Sequence, residues 1–399
     1  MTPTVLLTLG RLPKALALAR ALHAAGCRVV IAEPFRWHVC KPSLSVAANY
    51  RVPAPNDGTE AYLAALLDII SRENIDLVVP VSEEALHVAG LHDRLPARVR
   101  LLCPDAEVLE ALHDKLLFAQ RAAQLSLSVP TTFSAHTAEA AELASSSAYV
   151  TKPALGCSGI GLGFHESGTT PPKGIDNLLV QQQVTGREIS TLSFLSEGQV
   201  ITTVIYEGLV FAGTVAVCFE RVIEMQAVET WVRTFCEGLN YSGFIAFDFI
   251  VDEHDTPWGI ECNPRVTSGV HFLDEFGLGQ ALSSPESPTY IALREDTRKC
   301  QWAYSTLTEA YASILKPSEF WRCLRHMLSA CDVVWSLRDP LPFLLMTPMS
   351  WEILWPAMTS NLSLGEATQR DIARFEPASR ITTLQAPKIV SAVGGESGS

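Results

Sequence analysis

The chain has 399 residues, 48% of them apolar and 18% charged, with a mean hydropathy of +0.18 and a net charge of −13. That length allows two or three domains around a sizeable core. The negative charge argues against a broad nucleic-acid or anionic-membrane surface, so small molecules are the expected partners, with room for one local basic pocket that takes phosphate.

The N-terminus, MTPTVLLTLGRLPK, has no basic flank ahead of a long apolar run and does not read as a signal peptide. Residues 4–9 read as a buried strand, 13–25 as an alanine-rich helix closed by Gly26, and 28–32 as a second strand. Strand signals recur at 75–81 and 99–104, with helical stretches at 59–72 and 83–91. This alternation predicts a doubly wound parallel sheet over about the first hundred residues. Glu33, at the end of the second strand, stands where such sheets keep a ribose ligand. The first turn, TLGRLPKAL, has a single glycine, however, so a dinucleotide site is not expected.

From 105 to 145 the pattern is helical, interrupted by LSVPTTF. Strands are then expected at 148–152, 178–184, 187–195, 200–207, 211–219, 243–251 and 257–263, with a helix at 224–238. Beyond about 300 the character changes, and five of the eight tryptophans fall between Trp302 and Trp355. SEFWRCLRHMLSAC predicts an amphipathic helix capped by Ser318, within a helical cap packed on the core. PLPFLLMTPMSWEILWPAM is interrupted by four prolines and a glutamate, which spoils it as a membrane span. The tail VGGESGS is expected to be disordered. The ten cysteines show no Cys-x-x-Cys pair, which suits buried or free thiols in a reducing compartment. The expected location is cytoplasmic.

Three stretches carry chemistry. In VTKPALGCSGIGLGF a strand delivers Lys152, and Gly156, Ser158, Gly159 and Gly161 make a turn whose N–H groups can face a polyphosphate. In GIECNPR, residues 259–265, alternate positions place Glu261, Asn263 and Arg265 on one face of a strand and Ile260 and Cys262 on the other. If FIAFDFIVDE and TPWGIECNPR pair as a hairpin turning at His254 and Asp255, positions summing to 509 face each other and Asp248 lies opposite Glu261. Two carboxylates so close repel unless a cation sits between them, and with Asn263 they form an all-oxygen set suited to Mg2+. Arg265 adds a fixed charge able to steady a phosphoryl group in transfer. Cys157 and Cys262 read as packing residues.

In their order and spacing, KPALGCSGIG, LLVQQQVTGREISTLSF and FDFIVDEHDTPWGIECNPR resemble the ATP-grasp superfamily, closest to its carbamoyl-phosphate synthase and biotin carboxylase type. The resemblance covers about residues 1–275. It implies a pre-ATP-grasp sheet (1–104) and an ATP-grasp domain of α+β type (105–300, divided at 185); the helical, Trp-rich extension (301–390) and the tail (391–399) lie beyond it. It also implies that Lys115 and Lys152 contact ATP phosphates and that the loop from Gly156 to Gly161 closes over them. Gln182, Gln183 and Val184 would read the adenine and Glu188 the ribose. Asp248, Glu261 and Asn263 would hold Mg2+ or Mn2+, and Arg265 would face the phosphoryl group. One departure stands out: the hinge carries Gln182 where the family usually has a glutamate. Ser268 and Gly269 are candidates for holding the substrate carboxylate, and His271 for touching substrate.

The reaction implied is activation of a carboxylate as an acylphosphate and its capture by an amine, with release of ADP and phosphate. The sequence holds one such motif set, no glutamine amidotransferase segment and no Met-Lys-Met biotin-carrier signature. A free-standing carboxylate–amine ligase, acting on an amino acid or small acid, is therefore the expectation. The alternatives are an enzyme that activates bicarbonate and a non-catalytic nucleotide-binding subunit. A homodimer is compatible with this reading.

Overall fold

The structure, a computed structural model, describes residues 2–156, 161–239, 241–284, 290–360 and 364–373. The first hundred residues form a parallel sheet of β1 (Thr4–Leu7), β2 (Arg28–Glu33), β3 (Ala48–Arg51), β4 (Leu77–Val79) and β5 (Arg100–Leu101), in the order β3-β2-β1-β4-β5. Alternate residues point to opposite faces: Val5 and Leu7 pack under α1 (Pro13–Ala24), and Leu6 packs under α2 (Thr59–Arg72). Covering both faces is why these strands read as unbroken apolar runs. β3 escaped the sequence reading because ANYR is nowhere fully buried and lacks an apolar signal. The predicted helix at 83–91 is a single turn, α3 (Ala85–Val88), continued by a 3-10 segment.

Glu33 is committed to the protein itself. It accepts from Arg11 Nε at 2.8 Å, from the Gly10 N–H at 2.8 Å and from the Phe35 N–H at 3.0 Å. A ribose has no claim left on it, in agreement with the missing glycines.

α4 (Ala106–His113) and α5 (Lys115–Gln124) meet at Asp114, whose carboxylate caps α5 by accepting from the Leu116 and Leu117 N–H groups. An antiparallel sheet follows in the order β6-β9-β7-β8, from β6 (Thr132–Ser134), β7 (Tyr149–Pro153), β8 (Gly163–His165) and β9 (Leu178–Gln182), with α6 (Ala138–Ser146) packed on it.

The largest sheet contains β10 (Arg187–Ser196), β11 (Gln199–Ala212), β12 (Val215–Arg221), β13 (Gly243–Val251), β14 (Pro257–Asn263), β15 (Lys299–Gln301) and β16 (Cys331–Asp332), in the order β14-β13-β10-β11-β12-β15-β16. β11 runs straight through the break expected after 207. Gly208 is a strand residue, and the Phe211 ring occupies the space where its side chain would be. α7 (Gln226–Cys236) covers one face with Trp231 and Phe235 stacked at 5.2 Å, packed on Phe247, Phe249 and Cys262. α8 (Glu275–Ser283) lies against α1.

The extension contains α9 (Ala303–Ala312), α10 (Pro317–Ser329), α11 (Leu341–Leu344), α12 (Met346–Met349), α13 (Trp351–Ser360) and α14 (Leu364–Gln369). Two expectations change here. α10 starts at Pro317, so Ser318 sits inside its first turn and makes no cap, as the fixed φ of proline favours. The extension is helical, but Trp321, Trp335, Trp351 and Trp355 are exposed instead of filling a core. No helix among the described residues is long and apolar enough to cross a membrane.

Candidate active site

The β13–β14 hairpin builds the centre. Asp248 pairs with Glu261 and Ala246 with Asn263, as the sum of 509 requires. The register then changes, because Phe249 faces Gly259 and Ile260 is left over as a bulge. Gly259 is needed there: a side chain would meet the Trp231 ring at 2.6 Å. The bulge leaves the Ile260 carbonyl to accept from Lys152 Nζ at 2.9 Å. One residue's slip thus fixes a lysine delivered by a different sheet.

A row of polar groups crosses four strands of the large sheet, since Tyr206 pairs with Ser190, Ser190 with Asp248, and Asp248 with Glu261. Ser190 Oγ donates to Asp248 Oδ1 at 2.6 Å. Asn263 Nδ2 donates to both carboxylates, at 3.0 Å to Asp248 and 3.1 Å to Glu261, while its oxygen accepts from Arg265 Nη2 at 2.9 Å. Lys115 Nζ lies 3.4 Å from Glu261 Oε2 and donates to the Gly156 carbonyl at 2.7 Å.

Burial and crowding set the charges. Asp248 is pushed up to about 6, by burial first and by the Glu261 carboxylate second. Burial also opposes ionisation of Glu261, but the Lys115 and Lys152 ammonium groups hold it below the usual range. Lys152 is brought down to about 7 by burial and by Lys115. Two carboxylates and two lysines in one buried cluster form a set poised for a cation and an anion. Among the described residues no group of three His, Cys, Asp or Glu side chains could hold a metal. The donor set here is two carboxylates and an amide. It fits Mg2+ at Asp248 and Glu261, whereas Asn263 must rotate its amide away from Arg265 to offer its oxygen.

Residues without a local sequence signal join this centre from the first sheet and from α4. Glu83, buried in the loop after β4, lies 2.6 Å from Arg265 Nε. Burial would raise its carboxyl, but the Arg265 charge holds it low. His113 Nε2 stands 3.9 Å from Glu83, and Lys14 Nζ donates to the Val266 carbonyl at 2.7 Å. Ser82, Glu83, Leu109, His113, Pro264 and Arg265 line a small cleft. Pairing of Glu83 with Arg265 leaves no local pattern, because the partners lie far apart in sequence. Ser190 could have been found by extending the Asp248 pairing one strand further.

The other expected residues fall as follows. Gln182 ends β9, its N–H donating to the Thr131 carbonyl at 2.8 Å, and the Gln183 N–H donates to Ala148 at 3.1 Å; Val184 follows. Glu188 is exposed on β10, and its charge adds to the upward push on Asp248. Gly156 and Gly161 both take positive φ, 147° and 77°; Cys157, Ser158 and Gly159 lie outside the described residues. Ser268 is half-buried. Gly269 is buried in a 3-10 turn where a side chain would meet Leu192 at 2.6 Å. His271 packs near Phe219 and is driven down to about 3, first by burial, which keeps it neutral. Cys262 is buried in the apolar core, its thiol pushed well up by burial.

Within this chain, residues 112–269 match the family model for the ATP-grasp domain. Its fold is shared with the biotin carboxylase domain of Hydrogenobacter thermophilus 2-oxoglutarate carboxylase, a dimer with MgADP and bicarbonate (TM-score 0.58, 15% identity, 75% of this chain and 72% of that one). N5-carboxyaminoimidazole synthetase of Staphylococcus aureus is similar (0.57, 13%, 73% and 81%). So is an L-amino acid ligase of Bacillus licheniformis (0.54, 16%, 75% and 78%). A search of curated protein sequences returned no match.

Proposed function

We propose that the chain is an ATP- and Mg2+-dependent ligase that activates a small carboxylic acid, an amino acid by preference, as an acylphosphate and joins it to an amine, releasing ADP and phosphate. The observation that carries this reading is the convergence of Lys115, Lys152 and Arg265 on the Asp248–Glu261–Asn263 row. Three cations around two carboxylates suit a phosphoryl group passing from a nucleotide to an oxygen anion, where catalysis is mostly positioning and charge neutralisation. Mg2+ held by Asp248 and Glu261 supplies charge neutralisation at the phosphates. Lys115 and Lys152 hold the phosphates, with Gly156 beside Lys115. Gln182, Gln183 and Val184 meet the adenine and Glu188 the ribose. Arg265, braced by Glu83, faces the transferred group. Ser268 and the Gly269 N–H hold the acid.

A second reading, activation of bicarbonate, is favoured by the biotin carboxylase and carboxyaminoimidazole synthetase folds among the similar structures. One experiment separates the two. Pairs of amino acids and bicarbonate are screened for ADP release with ATP and Mg2+, with hydroxylamine added to trap acylphosphate as hydroxamate. An organic acid that yields hydroxamate and one ADP per product supports the ligase. ADP release that depends on bicarbonate alone assigns the carboxylase, and AMP with pyrophosphate overturns both.

A further inference from the structure

The net charge of −13 belongs to the molecule as a whole, yet one side of it is apolar and basic. After β2 the chain loops outward with Arg36, Trp37, Lys41 and Leu44. The Trp37 N–H donates to Glu352 Oε1 and the Leu44 N–H to Asp339 Oδ1, each at 2.9 Å, so the loop is fastened at two points to the C-terminal extension. On α13, Trp351, Trp355 and Met358 recur at helical spacing and are 50%, 55% and 74% exposed, while Ile353 is buried. Leu44 at 66% and Leu337 at 85% extend the same apolar surface around the two fastening points. A stripe at i, i+4 and i+7 that faces outward is the reverse of a core-facing helix.

Cations stand at the exposed rim of this surface. Arg36 and Lys41 stand 5.4 and 4.4 Å from the Trp37 ring centroid, and Arg338 is exposed beside Leu337. The nearby acids serve protein donors. Asp339 accepts from Arg20, Ser43 and Leu44, Asp332 from the Ala303, Val334 and Trp335 N–H groups, and Glu352 from Trp37. Tryptophan and leucine rimmed by cations complement the interface of an anionic bilayer, where rings sit at headgroup depth and Arg or Lys meets phosphate. A second copy fits less well, because a two-fold contact would bring the same cation-rimmed patch of both copies into one interface.

We propose that this surface seats the protein on an anionic lipid bilayer, with α13 lying in the plane of the interface. The test is sedimentation of the full chain with vesicles of phosphatidylcholine alone and of phosphatidylcholine with phosphatidylglycerol. Binding should favour the mixed vesicles and weaken as salt is raised. Trp351→Ser with Trp355→Ser should lower the partition coefficient about tenfold or more, and Lys41→Gln with Arg338→Gln about fivefold per charge. All variants should keep the parent's melting temperature and nucleotide affinity. The charge pair, at surface positions, keeps the test decisive should the tryptophan pair disturb α13. The proposal is overturned if the chain ignores both vesicles or if every variant binds as the parent does. It is equally overturned if light scattering finds a lipid-independent dimer that the tryptophan pair dissociates.

Discussion

Lys152 is a lysine held near its neutral point. Buried beside Lys115, its amine falls to about 7, and the carboxylates of Glu261 and Asp248 recover only part of what burial costs. A nucleotide phosphate at this amine favours the ammonium form, so binding should draw a proton from solvent. The sign follows: below about 7 the ammonium is already present, and above it each unit of pH weakens binding by up to about tenfold until the bound-state value is reached. Titration calorimetry with a non-hydrolysable ATP analogue, without added divalent cation and in buffers of different ionisation heat, should show proton uptake at pH 8. Lys152→Met should abolish that uptake. At this scale much of the site was legible, because Glu261, Asn263 and Arg265 share a face by simple alternation. Glu83 and His113 were not, since only the docking of the first sheet brings them to Arg265.

Elements meet through glycines as much as through large side chains. α1 and α8 approach so closely that a side chain at Gly279 would lie 1.9 Å from the Ala21 carbonyl oxygen, a backbone atom unable to give way alone. Gly277, two residues earlier on the same helix, would meet only side-chain atoms, Asp274 Oδ2 at 3.2 Å and Ile291 at 4.0 Å. Gly279→Ala should therefore cost about 1–3 kcal/mol through overpacking. Gly277→Ala should be neutral or stabilise by up to about 1 kcal/mol through helix propensity. Urea unfolding of both variants checks the contrast; equal effects would mean that the helices do not pack as described. The parallel first sheet, without β3 or the strand order, and the β13–β14 hairpin were readable from alternation and turn residues. The bulge at Ile260 was not, because the reason for it is the Trp231 ring on α7, and local sequence carries no trace of that contact.

The molecule is held together across its whole length. One apolar core runs from Val5 and Leu7 through Phe272 and Leu278 to Val334 and Ile372, so the first sheet, the large sheet and the extension share an interior. A buried clasp accompanies it. Arg11, in the first turn of the chain, bonds Glu33 through Nε and Asp371 through Nη1 and Nη2, at 2.6 and 2.9 Å for the latter, and lies over the Phe35 ring. Burial disfavours the Arg11 charge, but Glu33 and Asp371 together raise its affinity for the proton. Burial also disfavours the Glu33 charge, and Arg11 holds its carboxyl below the usual range. The partners are unequal, because the Glu33 side chain is fully buried and that of Asp371 is 19% exposed. Removing charge from the buried partner leaves the guanidinium only Asp371, a loss of about 3 kcal/mol, the low end for breaking a buried pair. The partly solvated partner should cost less, about 1–2 kcal/mol, because water can take its place. Glu33→Gln should thus destabilise more than Asp371→Asn, although only the second lies in the extension. The depressed Glu33 carboxyl contributes stability in full above the ordinary glutamate range, and that contribution is lost as pH falls through its lower folded value. Urea midpoints measured from neutral pH to well below the ordinary glutamate value of about 4.3 should fall for the parent as acid protonates the clasp, and fall less steeply for Glu33→Gln, which has no carboxyl there to protonate. Parallel curves for the two proteins would show that the chain's two ends are joined by the apolar core alone.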